Sequence, residues 1–191
     1  MSKKDKILEV SLELFTKKGF TATTTKEIAV KSGVAEGLIF YYFKDKNELL
    51  NYLIREFSFV NSLQNEIKEL SKVEPYTALI KFGQLYANFL SCNKSFLTFI
   101  WSPEIVRNTN VSKDIVDFIS IMGEQACSLL IRASSGTVEK KTVETAASMF
   151  LSTILTNVLV EERKAEKKPI RNDDYIEEIA IFILKGMQIS H

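Results

Sequence analysis

The chain has 191 residues, a formal net charge of +1, 46% hydrophobic residues and only three prolines, a balance that suits a well-packed helical protein with few breaks. No run reaches the roughly 18 uninterrupted apolar residues of a membrane span, and the polar start Met1 to Lys6 lacks a signal peptide's apolar middle, so a cytoplasmic protein with no membrane partner is expected. Cys92 and Cys127 are too far apart for a thiolate metal site or a CxxC redox pair, and the single histidine is the final residue, His191, which leaves no expected metal, cofactor or histidine-based catalysis.

Ile7, Leu8, Ser11, Leu14 and Phe15 recur at three- and four-residue steps and predict a first helix over Lys3 to Lys18, ended by Gly19. Thr24 can then cap a brief second helix, with Glu27 three residues on reaching back to complete a capping box. Gly33 stops that helix, at a place favouring a residue that tolerates positive φ. A third helix begins at Val34 and runs through Ala35, Glu36, Gly37, Leu38, Ile39, Phe40, Tyr41 and Tyr42. Glycine near its start costs about 1 kcal/mol relative to alanine. Close approach to another surface is one reason to accept that cost. Phe20, Ile28, Val34, Ile39 and Phe43 are the expected miniature core, a marginal one at this size.

Asp45, with Glu48 three residues on, starts a longer helix through Leu49, Leu50, Leu53, Ile54 and Phe57 toward Leu70. After Pro75, an apolar stripe over Tyr76 to Asn93 is followed by the aromatic-rich Lys94 to Trp101, with Pro103 as a break. Asn108 to Ser112 is expected to be a polar loop, and Lys113 to Ala133 an amphipathic helix closed by Ser134-Ser135-Gly136. Lys140 to Lys168 and about Asp173 to Ile189 complete an all-α chain, with no repeat and no persuasive strand.

Helix, glycine turn, helix is the helix-turn-helix arrangement, whose second helix enters the DNA major groove. Ile7-Leu8, Leu14-Phe15, Gly19-Phe20, Thr24-Thr25, Ile28-Ala29, Gly33-Val34, Gly37, Phe43, Lys46 and Glu48-Leu49 together resemble the DNA-binding domain of the TetR (tetracycline repressor-like) family of transcriptional regulators. The resemblance implies a three-helix, homeodomain-like DNA-binding head over residues 1–48 and a helical effector-binding and dimerisation body over residues 49–191. It also implies that the helix after Asp45 carries movement of the body into the head. Three positions depart from the family's usual pattern: Ala35 stands where serine or threonine commonly caps, Leu38 replaces a small hydroxyl residue, and Phe40 replaces a tyrosine.

Base edges are read by donors, acceptors or methyl-sized groups at a helix start. Glu36 could accept from a cytosine amino group or remain solvated, Leu38 could touch a thymine methyl, and Gly37 lets the backbone approach. Phosphate contacts give register and salt-dependent affinity. By resemblance they fall to Thr24, Thr25, Lys26, Tyr41, Tyr42 and Lys46, the two tyrosines having core packing as the alternative. Charge adds little support: through Leu50 there are nine Lys/Arg against seven Asp/Glu.

Two recognition helices about 34–36 Å apart need a two-fold dimer on a palindromic operator. The last two helices are the expected homodimer surface, as a four-helix bundle. Ligand cavities combine aromatic walls with a few polar groups, so Phe82, Tyr86, Phe89, Phe99, Trp101, Phe118, Met122, Phe150 and Asn157 are the candidate effector-binding residues, with core packing as the plainer reading of each aromatic. No cluster of charge stands among them, which favours a neutral or hydrophobic small molecule. The expectation is a ligand-responsive repressor released from its operator. The alternative keeps the DNA-binding dimer but has the body dock a protein partner. An enzyme is not expected, since no nucleophile–base pair, metal cluster or phosphate-binding glycine loop is present.

Overall fold

In the computed structural model the protein is described over residues 2–56, 59–107, 109–134, 138–161 and 172–187. Its elements there are helices: α1 (Lys3–Lys18), α2 (Thr25–Ser32), α3 (Glu36–Tyr42), α4 (Lys46–Glu56), α5 (Phe59–Glu69), a single 3-10 turn Leu70–Lys72, α6 (Pro75–Cys92), α7 (Lys94–Ile100), α8 (Pro103–Val106), α9 (Thr109–Ala133), α10 (Lys140–Glu161) and α11 (Asn172–Met187). Among the described residues there is no strand.

Two compact units form. The first joins Met1–Asn61 to Asn93–Phe118, and the second joins Ser62–Cys92 to Ile119–His191, so the chain passes between them three times. Compactness therefore divides the chain differently from the expected boundary at residue 48, because α4, α7 and α8 group with the first three helices.

In the first unit, α1 packs on α2, α4 and α7. Its Ile7, Leu8 and Phe15 are buried, and Phe15 meets Phe20 edge-on at 5.2 Å and stacks on Phe99 at 5.5 Å. Ile28, Ile39 and Phe43 are buried as expected, while Val34 is half-buried. Ser2 caps α1 through a capping box with Asp5. Asp45 accepts from the Glu48 amide at 2.8 Å, the expected start of α4. Lys4 lies over the Tyr52 ring at 3.7 Å, fastening α1 to α4 through a cation and an aromatic face.

In the second unit, α6, α10 and α11 pack against one another. Gly83 makes their close approach possible: a Cβ there would fall 2.6 Å from Ile176, 2.9 Å from Phe150 and 3.3 Å from Ile154. Arg132, in the last turn of α9, donates to the carbonyls of Leu70, Ser71 and Val73, satisfying backbone acceptors at the 3-10 turn.

Several boundaries differ from expectation. Thr109 to Ser112 is helical, not a loop, because α9 begins at Thr109; Asn108 lies outside the described residues. Pro103 does not merely break the chain but occupies the first turn of α8, where its missing N–H is harmless, with Ser102 as the cap. The third helix starts at Glu36, two residues later than expected. Phe57, Ser135, Gly136, the stretch from 162 to 168 and Ile189 lie outside the described residues. Helix α10 over Lys140–Val160 is long and apolar enough to cross a membrane by length and composition alone, a test that core helices of soluble proteins also pass. Apolar side chains stay exposed on α10 at Met149, Leu159 and Val160, and on α11 at Ile181 and Phe182, the last 73% accessible.

Candidate nucleic-acid interface

The site is built on the α2–turn–α3 element. Thr24 is extended, and its hydroxyl accepts from the Glu27 amide at 3.2 Å while the Glu27 carboxylate accepts from the Thr24 amide at 2.9 Å. Both orphan donors at the start of α2 are thus satisfied, as the sequence predicts. Gly33 sits at φ 67°, ψ 37°, and its amide returns to Ala29 and Val30 carbonyls; this left-handed cap turns the chain into α3. Ala35 precedes α3 and offers no side-chain cap.

The short helix α3 presents an exposed face. Ile39 is buried and anchors it, whereas Gly37, Phe40, Tyr41 and Tyr42 are exposed and Leu38 is half-buried. Tyr41 is 80% accessible and meets Tyr42 edge-on at 5.4 Å, so neither phenol is taken up by the core and both are free to face a ligand surface. Lys26, on α2, is exposed as well.

Two predicted contacts have a different setting from the one expected. Glu36 is half-buried, and one carboxylate oxygen accepts from the Thr25 hydroxyl at 2.6 Å. That bond links the starts of α2 and α3 and commits part of the side chain before any base is met. The second is Lys46. Its ammonium donates to the carbonyls of Phe20, Thr21 and Thr23 at 3.0, 3.3 and 2.9 Å, and lies 4.5 Å from the centre of the Phe20 ring. An ammonium has three donors. All three are spent on the turn between α1 and α2.

That turn receives a second partner that sequence reasoning misses. Glu104 of α8 accepts from the Phe20 amide at 2.8 Å, from the Thr21 amide at 2.6 Å and from the Thr21 hydroxyl. Partial burial pushes the Glu104 carboxyl upward, but the Thr21 and Phe20 donors and the nearby Lys46 ammonium outweigh it and hold the group below its usual range. Elsewhere on the head, hydrogen bonds from Lys17 and Lys31 lower Glu13 to about 2, and those from Lys18 and Thr24 lower Glu27 to about 2.

The candidate effector residues divide between the units. Phe82, Tyr86, Phe89, Met122 and Phe150 are buried in the second unit and Asn157 is half-buried there. Burial pushes the Tyr86 phenol up to about 12, so it is neutral at any ordinary pH. Phe99 belongs instead to the first unit, where it stacks on Phe15, and Trp101, expected as a wall, is 54% exposed at the end of α7. The side chain of Phe118 lies outside the described residues.

A three-helix head whose capped second helix and left-handed glycine turn deliver an exposed third helix defines a helix-turn-helix DNA-binding regulator. Residues 7–53 match the family model of bacterial regulatory proteins, tetR family. YvkB of Bacillus subtilis, an uncharacterised HTH-type transcriptional regulator, is 29% identical over 154 residues, covering 78% of this chain and 77% of that protein. QacR of Staphylococcus aureus, an HTH-type transcriptional regulator, is 51% identical over 49 residues, 26% of each chain. Among solved structures, the transcriptional regulator FadR from Bacillus subtilis, in complex with stearoyl-CoA, superposes with a TM-score of 0.69 at 19% identity, covering 96% of this chain and 99% of that one. That likeness is one of fold. Residues 7–53 are a DNA-binding domain of the TetR family of transcriptional regulators.

Proposed function

We propose that this regulator is a repressor that binds a palindromic operator as a homodimer and leaves it when a neutral or hydrophobic small molecule occupies the second unit. The observation that carries the DNA-binding part is the exposed face of α3, with Tyr41 almost fully accessible beside Tyr42 and Lys26 exposed on the preceding helix. In this reading Gly37 and Leu38 approach base edges, Tyr41, Tyr42 and Lys26 meet phosphates, and Thr24 and Thr25 set the helix start that faces the backbone.

The exposed apolar side chains of α10 and α11 support dimerisation through those helices, since a four-helix bundle of two from each copy would cover Met149, Leu159, Val160, Ile181 and Phe182. Buried Phe82, Tyr86, Phe89, Met122 and Phe150 favour an apolar effector. FadR, which shares the fold, is in complex with stearoyl-CoA, an apolar acyl chain on an anionic carrier, and only the chain is of that class. An effector can release DNA only through different affinities for the two states of the protein. Footprinting on DNA flanking the protein's own gene, repeated with a series of long-chain acyl compounds at fixed salt, tests the proposal. Protection that weakens with one of them supports it; protection unchanged across the series removes the effector part.

A further inference from the structure

The turn between α1 and α2 is held from two sides by opposite charges. Gly19 ends α1 at φ 89°, and the next two amides, Phe20 and Thr21, fall after that helix and before the cap of α2. Such backbone donors need partners. Internal bonds close the turn through Thr23, whose amide and hydroxyl donate to the Phe20 and Gly19 carbonyls at 3.2 and 2.8 Å. The Phe20 and Thr21 amides instead go to the Glu104 carboxylate, and the outward carbonyls go to Lys46. Gly19 also makes room for the carboxylate, because a Cβ there would lie 2.9 Å from Glu104 Oε2.

Directly after this turn the chain reaches Thr24, the cap of α2, and with it Thr25 and Lys26. Glu104 stands on α8, in the segment Asn93–Phe118 that joins the second unit at both ends. Its place is fixed by Ser102, which caps α8, and by α7, which packs on α1. We propose that Glu104 is a positioning residue for DNA recognition, a carboxylate latch by which the 93–118 segment sets where α2 and its phosphate-contacting start stand relative to α1. The inference rests on the DNA-binding reading above. Opening the latch lets the turn sample other placements, and apparent affinity falls by the fraction that remains competent.

The test uses the full chain and a duplex selected by the wild-type protein from a randomised library, with a scrambled duplex as control. In Glu104→Ala the Phe20 and Thr21 amides should exchange hydrogen faster, and affinity for the selected duplex should fall about tenfold. Affinity for the scrambled duplex should stay at the wild-type value while the melting temperature falls by a few degrees as the turn loses its acceptor, and Glu104→Asp, which keeps the charge, should recover part of both losses. Thr21→Val, which removes only the hydroxyl donor, should show about a threefold loss with unchanged melting. Unchanged amide exchange in Glu104→Ala, or opened amides with wild-type affinity for the selected duplex, overturns the latch. So does a loss that is equal on both duplexes, the mark of a purely structural role. A wild-type chain that selects no duplex is a separate result, and it removes the DNA-binding reading together with the latch.

Discussion

Replacing Lys46 by methionine separates two roles that give opposite signatures. Methionine keeps an apolar stem of similar length over Phe20 but removes the three donors that the Phe20, Thr21 and Thr23 carbonyls accept. A hydrogen bond to a charged group contributes about 1.5–3 kcal/mol. The three share one half-exposed ammonium and are not additive, so the total loss is about 2 kcal/mol. For a chain of this size that lowers the melting temperature by roughly 4–8 °C. Salt titration of operator binding supplies the second measurement, since each phosphate neutralised contributes about 0.9 to the slope of log affinity against log salt. Lys46→Met should melt early and keep the wild-type salt slope. A slope reduced by about 0.9 with unchanged melting would mean that the ammonium leaves the turn for a phosphate, and would refute the clamp.

The remaining contacts carry expectations of their own. Gly83→Ala should destabilise the second unit by about 1–3 kcal/mol, seen as a lower midpoint in urea, because its Cβ would press on Ile176 and Phe150; an unchanged midpoint would show that α6, α10 and α11 can part freely. Glu13 and Glu27 are held at about 2 against an ordinary 4.5, so the stability they supply is full above about pH 4.5 and is lost as pH falls toward 2. Acid unfolding followed by circular dichroism should therefore be flatter over that window in the double variant Glu13→Gln, Glu27→Gln, and an identical acid curve would contradict the assignment. Phe182→Glu, at the most exposed apolar position of α11, should shift sedimentation toward the single chain without changing helix content. A variant that sediments as the wild type would move the dimer surface elsewhere.

Local chemistry makes much of the head legible. Thr24 and Glu27 are three residues apart, and Gly33 closes the same helix, so capping rules alone place α2 and its end. The burial of Ile28, Ile39 and Phe43 likewise agrees with helical periodicity. The clamp at Lys46 is hidden for a physical reason: its three acceptors are main-chain carbonyls more than twenty residues earlier, and main-chain groups carry no sequence signature. Glu104 is invisible on the same ground, with partners more than eighty residues away. The polar run Asn108 to Ser112 looks like a loop by composition, yet Thr109 onward continues as the first turn of a long helix, where polar residues are at ease. An aromatic on an apolar stripe declares burial but not which unit it is buried in. Phe99 and Phe82 look alike in sequence, and only the fold assigns one to α1 and the other to the crossing of α6, α10 and α11.

The central claim is that two copies of α3 enter successive major-groove turns of one duplex. Hydroxyl-radical footprinting of the full-length protein on its selected duplex measures this directly. Two symmetric protected patches centred about 34–36 Å apart, both lost in Tyr41→Ala, are the predicted result. A single patch, or a pair that persists when Tyr41 is removed, would contradict it.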